Sequence, residues 1–169
     1  MRAEADICPL GRGDAETAMA LYTATVAAMR AEGHFQWNDT YPNRGTLERD
    51  IAASTAFGAW LDGELAGLVT VDGNQEPAYQ PIPFAFGEPI RVVHRLAIHP
   101  AFQRRGLSSA LMDFAEGLAR AAGCRAMRLD TCEDNGPALA LYQNRGYVVR
   151  GTCHFPPRTF TFLVMEKQL

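Results

Sequence analysis

Arg95-Leu96-Ala97-Ile98-His99-Pro100-Ala101-Phe102-Gln103-Arg104-Arg105-Gly106-Leu107-Ser108 reads as a strand, a short basic loop and the opening of a helix. Pro100 stops the strand, because it lacks a backbone donor. The helix is carried by Leu107, Leu111, Phe114 and Leu118 at helical spacing and ends at Gly123. A helix N-terminus leaves backbone N–H groups unpaired and points the positive end of its dipole outward, which together favour phosphate oxygens. Gly106 and the small Ser108 let a ligand approach the backbone closely, and Arg104 and Arg105 add charge. The chemistry fits a pyrophosphate.

Working outward, the segment 91–98 before the loop is a strand, and segment 126–131 after the helix is another. Pro137 suits the first turn of a further helix that Gly146 closes, and 147–150 and 160–166 read as final strands. Toward the N-terminus, 5–9 is a short strand, and Ala18, Leu21, Tyr22, Val26 and Met29 recur at helical spacing between Asp14 and Gly33. A second helix is expected over 44–53. Segments 56–61 and 65–71 flank Asp62-Gly63, a pair suited to the backbone angles of a tight hairpin. Pro77, Pro81, Pro83 and Pro89 make 73–89 a long surface loop. Hairpins alternating with crossover helices predict an α/β (α+β) fold: a single domain over 1–169 with a mixed, mostly antiparallel central sheet and helices on both faces.

The chain has 169 residues, 47% of them hydrophobic, enough for one substantial core. A formal charge of −3 gives no basic field to hold a nucleic-acid backbone. No apolar run reaches the ~18 residues of a membrane span, and the N-terminus lacks a signal-peptide pattern, so an untargeted cytoplasmic protein is expected. Cys8, Cys124, Cys132 and Cys153 lack CxxC spacing, and His34, His94, His99 and His154 lack ligand spacing with them. Reduced thiols and no metal are expected.

Gln103-Arg104-Arg105-Gly106-Leu107-Ser108 resembles the Q/R-x-x-G-x-G/A loop of the GNAT N-acetyltransferases, preceded by a similar strand ending in Leu-Ala-Ile-His-Pro. Ser108 departs from the usual Gly or Ala. A second ordered segment, Asp134-Asn135-Gly136-Pro137-Ala138-Leu139-Ala140-Leu141-Tyr142 followed by Arg145-Gly146-Tyr147, also resembles that family. The resemblance implies acetyl-CoA as cosubstrate. Gln103, Arg104, Arg105, Gly106, Leu107 and Ser108 would hold its pyrophosphate, and Leu96, Ala97 and Ile98 its pantetheine arm and acetyl carbonyl. Asn135 and Ala138 would belong to the second cofactor segment, and Tyr142 would protonate the departing thiolate. Asn135 is equally suited to a plain N-cap, and Tyr142 to an apolar core stripe.

Acetylating an amine requires a neutral nucleophile, whereas an alkylammonium has a reference pKa of about 10.4. His94 is the candidate base, because strand alternation puts it on one face with Leu96 and Ile98. Glu76 and Asp130 are further candidates. Phe35, Trp37, Asn38 and Tyr41 in the first interhelical connection, with Tyr79, Phe84 and Phe86 in the proline-rich loop, suggest an aromatic acceptor pocket. Trp37 is also suited to a packing anchor, and Arg44 or Arg91 could meet a substrate carboxylate. The expected acceptor is a small-molecule amine or amino-acid derivative. Acetylation of a protein N-terminus or lysine, and a non-catalytic acyl-CoA-binding module, are the competing readings. A dinucleotide-binding loop is disfavoured, because Gly106 stands alone where three glycines are needed. The strand 160–166 either pairs across a homodimer or lies inside the sheet.

Overall fold

Asp62 and Gly63 take φ of 50° and 82°, the left-handed pair that a tight hairpin demands. They join β2 (Ala56–Leu61) to β3 (Glu64–Asp72), which pair antiparallel. The computed structural model describes residues 4–169. The remaining elements are β1 (Asp6–Pro9), α1 (Ala15–Ala31), α2 (Arg44–Ala52), β4 (Ile90–Ile98), α3 (Leu107–Ala121), β5 (Ala126–Cys132), α4 (Gly136–Asn144), β6 (Val148–Cys153) and β7 (Phe162–Gln168). The seven strands form one mixed, mostly antiparallel sheet in the order β1-β2-β3-β4-β5-β7-β6. No helix among the described residues is long and apolar enough to cross a membrane.

The chain divides into two compact units. Of the described residues, the first comprises 4–71 together with Arg95–Ala115. Its core gathers Leu21, Tyr22 and Val26 of α1, Leu47 and Ile51 of α2, and Leu68 and Ala97 from the strands. Burying a large apolar side chain contributes about 1.5–3 kcal/mol, so the 3.6-residue stripe of α1 is what fixes this helix. Asn43 caps α2, accepting a hydrogen bond from Thr46 N at 2.9 Å. Asp14 instead accepts from Gly11 N at 2.7 Å, closing the turn before α1.

The second unit comprises Asp72–His94 and Glu116–Leu169. Here β7 pairs antiparallel with both β5 and β6, so the final strand is internal and offers no edge to a second chain. Two buried carboxylates organise the polar interior. Glu116 accepts from Arg145, from Tyr147 and, at 2.7 Å, from Lys167. Glu166 pairs with Arg128 and Arg150, and also accepts from Ala85 N and Phe86 N. The Arg128 guanidinium lies 3.6 Å from the Phe84 ring centroid and donates to Gln75 Oε1 and the Phe86 carbonyl. The proline-rich loop is therefore held to this unit by charge-assisted hydrogen bonds.

Candidate functional site

The 103–108 loop belongs to the first unit. After Ile98 the chain makes one 3₁₀ turn, Pro100–Phe102, capped by His99, whose Nδ1 accepts from Ala101 N at 3.2 Å. Arg104 and Gly106 then take φ of 60° and 83° on either side of Arg105. This alternation turns successive N–H groups toward one side, the arrangement that makes a backbone nest for anions. Among the described residues, the backbone N–H groups from Arg104 to Ser109 make no hydrogen bond. They end on α3, whose dipole adds to them. Arg104 is exposed, while Arg105 folds back with its guanidinium 5.1 Å from the Phe102 ring. Leu107 is buried and anchors the loop from below, and Ser108 and Gln103 stay at least partly open to solvent. The donors fit a pyrophosphate.

The alternation expected of β4 is interrupted at Arg95. Alternation would place His94, Leu96 and Ile98 on one face, but Arg95 sits at φ 51° and interrupts it. A non-glycine residue in the left-handed region is costly and persists only where surrounding contacts hold it. Here the holding contacts are two hydrogen bonds from the Arg95 guanidinium to Asp50 Oδ2, at 3.0 and 2.7 Å, and one to Tyr41 Oη at 3.1 Å. Thr70 Oγ1 also donates to Asp50, at 2.9 Å.

The aromatic and polar residues of the first connection take different places in this unit. Trp37 is buried and packs edge-on against Tyr22, with centroids 5.7 Å apart, as a core anchor. Tyr41 serves Arg95, and Asn38 Oδ1 closes its own turn by accepting from Thr40 N and Tyr41 N. Phe35 alone stays widely exposed, at 51%. Arg44 is committed to Glu16 and Glu48, and Arg91 donates to the Ile90 carbonyl. A surface cleft of about 480 Å³, lined by Arg12, Glu48, Arg49 and Ile51 among others, contains none of the predicted site residues.

The catalytic candidates gather in the second unit. His94 Nε2 lies 3.0 Å from Asp72 Oδ1 and 3.2 Å from the Asn74 carbonyl. Both partners are acceptors, so Nε2 carries the proton and the lone pair of the neutral ring resides on Nδ1. Burial works to raise the Asp72 pKa, but its hydrogen bond and charge interaction with His94, with further bonds from Asn74, hold it below the ordinary 3.8. Asp72 therefore stays anionic at neutral pH and orients the ring, a partner 22 positions away that no local pattern announces. If His94 is the base, His94→Gln should cut turnover about 100-fold or more and remove the acid limb of the pH–rate profile. An intact acid limb would exclude it.

Tyr142 lies on α4, buried, with its ring 5.9 Å from that of Tyr147. Burial, and secondarily Asp130, push its pKa above the ordinary phenol value, so it keeps its proton at neutral pH. Asn135 caps α4, its Oδ1 accepting from Ala138 N at 3.2 Å, so the capping role is realised. Tyr79 is buried rather than lining an open wall, and its hydroxyl donates to Asp130 Oδ2 at 2.5 Å. Cys132 and Cys153 both face Phe162 in register across β7. Two strand spacings put their Cα atoms about 9–10 Å apart, beyond the ~7 Å reach of a disulfide. Burial raises their thiols to about 11 and about 12, which suits neither to nucleophilic work.

Residues 19–147 match the acetyltransferase (GNAT) family model. A GNAT-family acetyltransferase from Streptococcus agalactiae is 25% identical, with TM-score 0.82, covering 98% of this chain and 95% of that one. The PaiA N-acetyltransferase of Thermoplasma acidophilum, solved in complex with coenzyme A, is 18% identical with TM-score 0.74, covering 98% and 99%. The ribosomal-protein-S18-alanine N-acetyltransferase of Escherichia coli is 18% identical with TM-score 0.70, covering 98% and 94%. The last two likenesses are of fold.

Proposed function

The chain belongs to the GNAT acetyltransferase family, and from that premise we propose that it acts, as one domain over 1–169, as an N-acetyltransferase on a primary amine of a small molecule or amino-acid derivative. The observation that carries the reading is the row of unpaired N–H groups from Arg104 to Ser109 at the start of α3. Acetyl-CoA supplies an activated acetyl thioester. The 103–108 loop takes the pyrophosphate through backbone donors and Arg104, and backbone groups of Leu96, Ala97 and Ile98 take the pantetheine arm. Asn135 and Ala138 shape the start of α4, and Tyr142 at its far end holds a proton for the leaving sulfur. His94, oriented by Asp72, removes the proton of the acceptor through Nδ1.

Calorimetric titration with acetyl-CoA, followed by free-thiol release against a panel of amines, amino acids and peptides, tests the reading. Binding with release for small amines supports it, release only with peptides transfers the activity to protein acceptors, and binding without release leaves a coenzyme-binding module. Absence of binding overturns it. Within the active enzyme, Tyr142→Phe keeps the ring and removes the donor. It should lower kcat about 100-fold, the lower end of general-acid effects, because a thiolate leaves readily. An unchanged rate would end the general-acid assignment.

A further inference from the structure

Among the described residues, four sheltered carboxylates have a basic partner. Asp50 has Arg95, Asp72 has His94, Glu116 has Arg145 and Lys167, and Glu166 has Arg128 and Arg150. Asp130 does not. Among the described residues its one hydrogen-bond partner is the neutral Tyr79 hydroxyl, on Oδ2, and no arginine, lysine or histidine forms an ion pair with it. Arg128, two residues before it, is committed to Glu166, Gln75 and the Phe86 carbonyl. Asp130 is still partly open to solvent, yet burial raises its pKa; Tyr79 and, at longer range, His94 and Arg158 lower it, and Glu76 raises it. A desolvated carboxylate without a counter-ion is costly, and a cationic ligand placed against it would offset that cost.

Its position says which ligand. Strands β4 and β5 run parallel, with their paired register ending at Val92 opposite Arg128. Two residues further along each strand are His94 and Asp130, so the proposed base and the unpaired carboxylate occupy equivalent positions beyond the last rung. The Tyr142 phenol also feels the Asp130 charge.

We propose that Asp130 is the acceptor-binding carboxylate, taking the substrate's ammonium group on Oδ1 beside His94, and that the acceptor is a cationic alkylamine without a carboxylate near its reactive nitrogen. Tyr79 holds Oδ2 and so fixes the carboxylate. The ammonium passes one proton to His94 Nδ1, leaving a neutral amine and an imidazolium. Asp72 and Glu76, in the same unit, make the surroundings unfavourable for an acidic substrate.

The inference rests on the acetyltransferase reading and is tested by equilibrium binding. The protein is titrated calorimetrically with 1,4-diaminobutane and with 4-aminobutanoate, which differ by an ammonium against a carboxylate. The wild type should bind diaminobutane at least about tenfold more tightly. Asp130→Asn should weaken diaminobutane about 30-fold or more, leave acetyl-CoA affinity intact, and melt no lower than the wild type, since an uncompensated charge has been removed. Equal affinity for the two probes, no diaminobutane binding by a protein that binds acetyl-CoA, or undiminished diaminobutane affinity in Asp130→Asn would each overturn the proposal. The wild-type comparison decides even if the variant does not fold. Loss of acetyl-CoA binding by the wild type would strike the acetyltransferase reading instead.

Discussion

Glu166→Ala should destabilise the protein by about 3–5 kcal/mol, the cost of removing one side of a buried ion pair. Glu166 has no exposed surface and lies between two guanidiniums, Arg128 Nε at 3.2 Å and Arg150 Nε at 3.1 Å. Its oxygens also take the backbone N–H groups of Ala85 and Phe86, at 2.8 and 3.3 Å. Truncation leaves Arg128, itself 5% exposed, without a counter-charge and releases the far end of the proline-rich loop. For a domain of this size the loss corresponds to a melting shift of roughly 6–20 °C. Arg44→Ala is the control: its pairs with Glu16 and Glu48 are exposed, and their loss should cost no more than about 1 kcal/mol. Urea denaturation of both variants measures the difference. If Glu166→Ala costs as little as Arg44→Ala, the network does not hold the loop.

Those two variants also mark what could be read from sequence. Local signals were legible because each reports on its own neighbourhood. Asp62-Gly63 needed only its own backbone angles to announce a hairpin, and Gln103–Ser108 only a strand before it and an apolar stripe after it. The polar partnerships were illegible, since they join residues far apart in sequence: His94 and Asp72 are 22 positions apart, Arg95 and Asp50 45, Tyr79 and Asp130 51. No periodicity encodes such pairs. Arg95 shows the consequence, for its bonds to Asp50 and Tyr41 accompany a left-handed backbone that breaks the alternation of β4. The aromatic connection shows the other limit. Phe35, Trp37 and Tyr41 look alike as candidate pocket walls, yet one is exposed, one is a core anchor and one serves an arginine. Composition reports that aromatics are present, while tertiary packing decides which way each one faces.

Gly106→Glu should weaken acetyl-CoA binding about 1,000-fold, because like charge forced against an anion costs several kcal/mol. Gly106 stands within the row of unpaired N–H groups, at φ 83°, immediately before α3. A glutamate there brings negative charge to the end of the helix where the dipole and Arg104 attract it, and so competes with the pyrophosphate for the same donors. It also meets a backbone angle that costs an L-residue about 1–2 kcal/mol. Relief of that strain would turn the N–H groups out of alignment. Gly106→Ala separates the two causes, since it imposes the angle without the charge and should cost tenfold or less in affinity, or about 1.4 kcal/mol. Calorimetry with acetyl-CoA reads both variants, and circular dichroism melts show whether the fold is intact. Acetyl-CoA affinity in Gly106→Glu within about threefold of the wild type would remove the loop as the pyrophosphate cradle, and with it the observation on which the proposed activity rests.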